Sequence, residues 1–261
     1  MPFTHILLDT SDGIATLTLN RPDVLNAFND PMAAEVIAAL KQVERDGAVR
    51  CLVITGAGKG FCAGQDLGAL RDRLAAVSFR EHLLNTFNPM ITRLRGLEKP
   101  VIGQINGAAA GAGLGLALAC DLRYAADTAR FRMAFSGIGL APDSGTSYFL
   151  PRLIGYSRAF ELAATNAPLG AQAALELGLV NSLFPADKLA EAAREIALKL
   201  AQASPKALAL TKRAMTRAFD FTLEEALDYE AHLQEIAGRS DDHREGVAAF
   251  LEKRAPNFTG E

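Results

Sequence analysis

Several features that mark common classes of protein are missing or scarce in this sequence. It contains no tryptophan and only three cysteines, Cys51, Cys62 and Cys120, an odd number without a CxxC pair. Neither a disulfide framework nor a zinc knuckle is therefore expected, and a reducing cytoplasm is the predicted compartment. The histidine, cysteine and acidic residues show no metal-ligand spacing, so no metal site is predicted.

Long apolar runs and long blocks of like charge are also absent. No segment reaches the roughly 18 uncharged apolar residues that a membrane-spanning helix needs, and no basic segment precedes an apolar one at the N-terminus. The 27 basic and 30 acidic residues give a net charge of −3, and neither sign is concentrated in one block. We therefore expect no partner that is selected by bulk charge, which argues against nucleic acid and membrane surfaces.

What the sequence does contain is a large apolar fraction and clear local patterns. Hydrophobic residues make up 49% of the 261 positions, enough for a sizeable core. Residues 3–9 and 14–20 form a predicted β-hairpin. Asn29 or Asp30 caps a predicted helix that carries Pro31 in its first turn.

Two predicted buried strands, at residues 50–55 and 101–105, each run into a glycine-rich turn that leads into a helix. This order is typical of parallel β-sheet crossovers and predicts an α/β fold. After Gly155 the pattern becomes almost wholly helical. Predicted helices lie near residues 67–76, 111–119, 157–166, 171–177, 187–203, 205–219, 222–238 and 241–253.

The glycine-rich turns do not match the common nucleotide-binding loops. Residues 56–60, GAGKG, lack the Ser or Thr that follows Gly-Lys in a phosphate-binding loop, and residues 111–115, GAGLG, lack the GxGxxG spacing. A glycine-rich turn before a helix leaves backbone N–H groups without intrahelical acceptors. Two such turns could converge on one negatively charged oxygen. The alternative is that the glycines serve tight turns and close packing of helix against sheet.

Four segments in register resemble the crotonase (enoyl-CoA hydratase/isomerase) superfamily across essentially the whole chain. They are Asn20-Arg21-Pro22 with Leu25-Asn26-Ala27, residues 61–67 (FCAGQDL), residues 106–113 (NGAAAGAG) and Cys120-Asp121. The resemblance implies an α/β fold: a crotonase-like spiral of ββα repeats over residues 1–195 and a helical C-terminal trimerisation region over residues 196–261. It also implies homotrimers or hexamers, each a dimer of trimers.

The same resemblance implies an acyl-CoA thioester substrate and no separate cofactor, because coenzyme A is part of the substrate. By motif position, backbone N–H groups of Ala63 and Ala112 would bind the thioester oxygen, with Gly111 and Gly113 shaping the second turn. The residues implied in coenzyme A binding are Leu25, Ala27, Gln65, Asp66 and Leu67, with Phe250 and Lys253 reaching a neighbouring subunit. For Phe250 and Lys253, an ordinary amphipathic helix with a solvated lysine is the alternative.

The resemblance also bears on the reaction. Hydratases of the family use two glutamates, and the matching positions here are Gly115 and Phe135. Neither residue can hold a water or exchange a proton, so hydration is not expected as the main activity. Asp143, eight residues after Phe135, stands where other members of the family carry out isomerisation or attack on the acyl group.

Asp143 has two interpretations. Its apolar neighbours favour a raised pKa, which suits a proton shuttle. Its position before Ser144-Gly145-Thr146 also suits a helix N-cap, although Ser144 or Thr146 could cap instead. Because both hydratase glutamates are absent, we favour Asp143 as the catalytic residue.

Within the family, the chain is most similar to the branch that isomerises the ring 1,2-epoxide of phenylacetyl-CoA to an oxepin thioester. The segments that carry this similarity are residues 26–30, 60–67, 133–136, 142–143 and 238–260. Isomerisation of a 3-enoyl-CoA to a 2-enoyl-CoA is one alternative. A second is dehalogenation of 4-chlorobenzoyl-CoA, which the lack of tryptophan disfavours, and a third is a catalytically silent acyl-CoA-binding protein.

Two further expectations concern the rest of the chain. The pocket walls are expected to come from residues 68–97, whose pattern is amphipathic. The four histidines, His5, His82, His232 and His243, are scattered outside the matched motifs, and surface or packing roles are expected for each.

Overall fold

A computed structural model describes residues 3–71 and 78–261 and contains two β-sheets. The larger sheet has the strand order β1-β2-β3-β5-β7-β10, and the smaller has the order β4-β6-β8-β9. Neighbouring strands are parallel except in the pairs β1–β2 and β8–β9. The strands are β1 Ile6–Ser11, β2 Ile14–Leu19, β3 Cys51–Gly56, β4 Gly60–Cys62, β5 Val101–Ile105, β6 Ala108–Ala110, β7 Leu122–Ala126, β8 Arg130–Arg132, β9 Leu169–Gly170 and β10 Ser182–Phe184.

The two sheets grow together as the chain winds. Each of the strands β3, β5 and β7 in the larger sheet is followed by a short strand, β4, β6 or β8, in the smaller one. After β4 and β6 the chain enters a helix, as the glycine-rich turns predicted. This alternation is the spiral of ββα repeats that the sequence implied.

The helices pack against these sheets and against one another. Asn29 caps α1, because its side-chain Oδ1 accepts a hydrogen bond from the Met32 N–H at 3.0 Å. The predicted helix at 67–76 is described only as far as Arg71, and the remainder lies outside the described residues. The helices are α1 Asp30–Arg45, α2 Leu67–Arg71, α3 Phe79–Asn85, α4 Phe87–Gly96, α5 Ala112–Ala119, α6 Thr146–Ile154, α7 Tyr156–Thr165, α8 Ala171–Glu176, α9 Leu189–Gln202, α10 Pro205–Arg217, α11 Leu223–Gly238 and α12 Asp241–Glu252.

The core is centred on α5, a short helix of glycine, alanine and leucine in which every residue is buried. A helix that is apolar all round must be enclosed on all sides, and α5 is packed by β4, β6, α4 and α6. Small residues let these neighbours approach closely: a Cβ placed on Gly113 would lie 2.2 Å from the Cys62 carbonyl oxygen. The first turn of α5 is thereby fixed against the end of β4.

Several short elements were not predicted from the sequence. Strands β4, β6 and β8 have three residues each, too few for an alternating pattern to be visible. Helix α6 begins at Thr146, directly after the glycine- and proline-rich loop 137–145, where Asp143, Ser144 and Thr146 were predicted as alternative N-caps. The hairpin and the C-terminal helices were predicted correctly in type and approximate position.

The C-terminal helices differ in what they cover. Helix α9 packs against the larger sheet through Leu189, Ala193, Ala197 and Ala201, so the face that covers the sheet extends past residue 195 to the end of this helix. Helices α10, α11 and α12 follow and leave large apolar side chains exposed. These exposed side chains are Met215, Leu223, Leu227, Val247, Phe250 and Leu251. In the described part of the chain, no helix has both the length and the apolar character to cross a membrane.

Candidate active site

A cavity of about 560 Å³ opens at the N-terminal end of α5. Its walls come from the segment after β4, the first turn of α5, helices α3 and α4, and the loop between β8 and α6. Most of the lining is apolar. The lining residues are Ala63, Gly64, Gln65, Leu67, Phe79, His82, Leu83, Phe87, Gly111, Ala112, Arg132, Ala134, Phe135, Gly137, Ile138, Leu140, Asp143 and Asn166.

The two predicted glycine-rich turns meet in this cavity. Gly64 and Gly111 both have positive φ angles, +96° and +51°, which glycine adopts without steric cost. A Cβ on Gly64 would lie 2.9 Å from the Ala110 carbonyl oxygen and 3.4 Å from the Ala112 nitrogen. The Ala112 N–H begins α5 and has no backbone acceptor within the described chain. It is therefore available to an oxygen in the cavity.

The prediction that Ala63 supplies the other donor is wrong. The Ala63 N–H donates to the Leu25 carbonyl at 2.9 Å, so its only backbone hydrogen is already used. Gln65, two residues later, also lines the cavity, and its N–H has no acceptor among the described residues. The bridge between Phe28 and Gln65 uses the groups on either side: Phe28 N–H donates to Gly64, and Asp66 N–H donates to Phe28. The bridge thus leaves the Gln65 N–H free.

Asp143 lies in the cavity wall and does not cap α6. The residue before α6 is Gly145, and no side chain caps this helix. Thr146 donates through its N–H and its Oγ1 to the Asp143 backbone carbonyl, at 2.9 and 2.7 Å. The Asp143 side chain instead accepts a hydrogen bond from Ser144 Oγ at 2.7 Å. The suggestion that Ser144 or Thr146 caps the helix is therefore wrong as well.

The surroundings of Asp143 favour its protonated form. Burial raises the pKa of this carboxyl above its ordinary value, although the Ser144 hydrogen bond and the charge of His82 each lower it. The prediction from its apolar neighbours is thus confirmed in direction. Such a carboxyl can hold or release a proton more readily near neutral pH than a solvated aspartate can.

The two positions that hold glutamates in hydratases are closed to that chemistry. A Cβ on Gly115 would lie 2.5 Å from the Ser144 carbonyl oxygen and 2.8 Å from the Ser144 Cβ. The turn beside Asp143 therefore occupies the space that a side chain at residue 115 would need. Phe135 is buried and lines the cavity with an apolar ring. The loop that carries Asp143 occupies the volume in which a glutamate side chain at position 115 would lie, so this loop conformation and that glutamate exclude each other.

Of the residues predicted to bind coenzyme A in the same chain, Gln65 and Leu67 line the cavity, whereas Leu25, Ala27 and Asp66 do not. Leu67 lines the cavity and is half-exposed, and Leu25 is exposed close to Gly60. Asp66 accepts hydrogen bonds from Arg21 Nη2 at 2.9 Å and from the Ala69 N–H at 3.1 Å, and these hydrogen bonds hold the pKa of its carboxyl below the usual range. Ala27 is buried, and its carbonyl accepts a hydrogen bond from Arg21. Arg21 therefore links the segment before α1, through the Ala27 carbonyl, to Asp66 at the start of α2.

The remaining predicted residues lie away from the cavity. Gly113 does not line it, and its role is the close packing of α5 against Cys62. Phe250 is 83% exposed on α12, and Lys253 ends that helix with a positive φ of +56°. Neither lines the cavity of its own chain. Their part in binding coenzyme A of a neighbouring subunit stays a prediction.

One residue of the cavity was misjudged from the sequence. His82, expected to serve packing or the surface, lines the cavity on α3. Phe79, Leu83 and Phe87 line it too, so residues 68–97 do supply part of the wall. The signal was present in the spacing: His82 occupies the position three residues after Phe79 and beside Leu83, on the apolar side of the helix.

Comparison with known proteins identifies the family of this chain. The model of the family "Enoyl-CoA hydratase/isomerase" matches residues 9–261. The chain belongs to the enoyl-CoA hydratase/isomerase family. It is 47% identical to the 1,2-epoxyphenylacetyl-CoA isomerase of Escherichia coli K12, over 98% of each chain. It is 37% identical to the trans-2-decenoyl-[acyl-carrier-protein] isomerase of Streptococcus mutans, over 100% of each chain.

Solved structures of the family share the fold. The enoyl-CoA hydratase of Bacillus anthracis superimposes with a TM-score of 0.93 at 35% identity, covering 99% of this chain and 100% of the other. The crotonase fold expected from the sequence is therefore confirmed. Hydratases and isomerases share this fold, so the reaction must be inferred from the side chains of the cavity.

Proposed function

We propose that this protein is an acyl-CoA isomerase in which Asp143 moves a proton between two carbons of the acyl group. The observation that carries the proposal is that Asp143 is the only carboxylic acid among the described residues that line the cavity. A hydratase needs groups that activate and orient water, and Gly115 and Phe135 offer none. A single carboxyl that removes a proton at one carbon and returns it at another is sufficient for an isomerase.

The backbone of the cavity would stabilise the intermediate. Gln65 and Ala112 line the same cavity, and their N–H groups lack acceptors among the described residues, so they are the proposed donors to the thioester oxygen. The Ala112 N–H also stands at the N-terminus of α5, where the helix dipole favours negative charge. When Asp143 removes a proton from the carbon beside the thioester carbonyl, the electron pair moves to that oxygen. The two N–H groups then bind the enolate oxygen more strongly than the neutral carbonyl.

The proposed substrate is the ring 1,2-epoxide of phenylacetyl-CoA, and the product is the oxepin thioester. The ring bond between the two epoxide carbons breaks, which expands the six-membered ring to the seven-membered oxepin. Asp143 takes a proton from the carbon next to the thioester carbonyl, the electron pair left there forms a double bond to the adjacent ring carbon, and the ring double bonds shift so that a ring carbon takes up the proton. The product is an isomer of the substrate, so no atom is gained or lost. The apolar wall formed by Phe79, Phe87, Phe135 and Leu140 suits an aromatic or ring-derived acyl group. The similarity to the E. coli isomerase supports the same choice.

A second candidate is the isomerisation of a 3-enoyl-CoA to a 2-enoyl-CoA. It needs the same groups, because the proton leaves the carbon beside the carbonyl and returns two carbons further along the chain. The similarity to an isomerase of decenoyl thioesters supports it. The two candidates differ in the acyl group and share the mechanism.

Product analysis by mass spectrometry and NMR tests the proposal. The parent protein is incubated separately with the phenylacetyl epoxide thioester, a 3-enoyl-CoA and 4-chlorobenzoyl-CoA. We expect isomerised thioester from the first two and no chloride from the third. Failure of the parent protein to convert any of them would indicate a silent acyl-CoA-binding protein. Full activity of Asp143→Asn would remove Asp143 from the mechanism.

We also propose that the active form is a homotrimer or a hexamer built from trimers. The exposed apolar side chains of α10, α11 and α12, among them Leu223, Phe250 and Leu251, support it, because a surface of this kind is usually covered by a partner. Light scattering after size exclusion should give three or six times the monomer mass. A monomer mass would contradict the proposal.

A further inference from the structure

His82 occupies an unusual position for a packing residue. Its imidazole is held between two oxygens: Nδ1 lies 3.7 Å from Asp30 Oδ1, and Nε2 lies 3.2 Å from Gln65 Oε1. The Nε2–Oε1 distance allows a hydrogen bond, and the Nδ1–Oδ1 distance allows an ion pair when the ring is protonated. The ring also meets Phe87 edge-on, with ring centroids 5.8 Å apart. These contacts come from three separate segments of the chain and fix the ring at the cavity wall.

The charged groups around this ring are few. Asp143, His82 and Arg132 are the titratable side chains among the described residues that line the cavity. Arg132 is directed to Asn166, because its Nε donates to the Asn166 carbonyl and Oδ1 at 2.9 and 3.3 Å. Asp30 approaches His82 from the start of α1, and Arg80 and Glu81 on its own helix are exposed. His82 and Asp143 line the same cavity, so a positive charge on the imidazole lowers the pKa of the Asp143 carboxyl.

We propose that His82 is a positioning residue for the isomerase: Asp30 and Gln65 hold its ring at the wall of the cavity that Asp143 also lines, and a positive charge on this ring favours the ionised carboxylate that acts as the base. The inference rests on the proposed function, since it assigns a task to a residue that acts through Asp143. The Asp143 carboxyl then experiences two opposed effects. Burial favours its neutral form, and the facing imidazolium together with the Ser144 hydrogen bond favours its ionised form.

The direction of the test follows from this balance. Replacing His82 by glutamine removes the positive charge, so Asp143 holds its proton to higher pH. The base is required in its ionised form, and the acidic limb of the kcat/KM profile for the isomerised thioester should therefore move to higher pH. At pH values on that limb His82→Gln should lose activity several-fold, while on the alkaline plateau it should approach the parent.

A matched control is available in the same chain. His5 also pairs with a carboxylate, since its Nδ1 lies 3.4 Å from Glu35 Oε1, but it does not line the cavity. His5→Gln should leave the acidic limb where it is in the parent. Thermal unfolding of both variants, followed by circular dichroism, shows whether each is folded. His82→Asn is a second neutral variant for the case in which the glutamine variant does not fold.

A readout that does not depend on turnover separates this inference from the proposed function. In protein labelled with carbon-13 at the aspartate carboxyls, the Asp143 signal is assigned by its loss in Asp143→Asn and then titrated. His82→Gln should move its midpoint to higher pH. An unmoved midpoint and an unmoved acidic limb would overturn the inference while the isomerase stands. A moved midpoint in a protein without isomerase activity would overturn only the proposed function.

Discussion

The two sides of the cavity are built from different parts of the chain. The backbone wall consists of Gly64-Gln65 and Gly111-Ala112 and presents N–H groups. The side-chain wall consists of His82, Phe135 and Asp143 and presents a carboxyl, an imidazole and a ring. The backbone wall would suit any thioester oxygen, because it offers nothing specific to one acyl group. Which reaction the acyl carbons undergo must therefore depend on the side-chain wall.

Gly115 is the position at which α5, the helix of the backbone wall, contacts the turn that carries Asp143 in the side-chain wall. It lies in α5, one turn after Ala112, and the Ser144 backbone packs directly on it. Ser144 itself has a positive φ of +51°, and the next residue, Gly145, has +78°. Non-glycine residues adopt this region at a cost, which the surrounding packing must offset. The turn that carries the Asp143 carboxyl can pack this closely against α5 because residue 115 has no side chain.

The largest effect should come from the side-chain wall itself. Asp143→Asn keeps the shape of the side chain and removes its ability to exchange a proton. We expect the isomerisation rate to fall by about 10²–10⁴-fold, the usual contribution of a positioned acid–base group. Binding of a non-reactive acyl-CoA should change little, because the backbone wall is intact. Steady-state kinetics and calorimetry measure the two quantities, and Asp127→Asn at an exposed position is the control.

A variant that lacks one backbone N–H group tests the backbone wall. Proline is tolerated at the first residue of a helix, and Ala112 is that residue in α5. Ala112→Pro should therefore fold and lower kcat by about 10²–10³-fold, as the loss of one oxyanion donor does. Ala112→Ser keeps the N–H and should retain activity close to the parent. Equal losses in both variants would indicate that the side chain at residue 112 matters and the N–H does not.

Gly115→Ala tests the contact between Gly115 and the Ser144 backbone, at which the two walls meet. Its Cβ would meet the Ser144 backbone at less than 3 Å, so the Asp143 turn must move. We expect the free energy of unfolding to fall by about 1–3 kcal/mol, as in overpacked cores, together with a loss of isomerase activity. Gly96→Ala, where no atom lies within 4 Å of the added carbon, is the control. Chemical denaturation and activity assays measure both effects. Unchanged stability and activity in Gly115→Ala would contradict the claim that this contact positions the Asp143 turn.

The same comparison explains what could be read from the sequence. The backbone wall was located by its glycines, because a positive φ at Gly64 and Gly111 leaves a trace in residue type. The proposed donor, the Gln65 N–H, lies two residues after Ala63, the donor predicted from the sequence. Which N–H is used depends on the pairing of Phe28 with Gln65 and of Ala63 with Leu25, and both pairings join segments about forty residues apart. A single sequence does not reveal such pairings.

The side-chain wall was predicted in part. Asp143 was found because the family resemblance placed it in register, and its raised pKa was inferred from apolar neighbours. His82 was missed, since a histidine on an amphipathic helix is common and its two partners, Asp30 and Gln65, come from other segments. The contact between Gly115 and Ser144 was also invisible, because it depends on how closely α5 and the Asp143 turn approach each other.

The smallest expected effect concerns stability. It tests whether the buried Asp143 carboxyl in the side-chain wall lowers the free energy of unfolding. Because burial raises the folded-state pKa of Asp143, its contribution to stability is complete below its unfolded pKa, near 3.9, and is lost as the pH rises through the folded value. Asp143→Asn should therefore be more stable than the parent at neutral pH, and this advantage should shrink on acidification. Thermal unfolding measured over a range of pH gives the difference. A parent that is more stable than Asp143→Asn at neutral pH would mean that the carboxylate is held favourably, so that the Ser144 and His82 interactions outweigh burial.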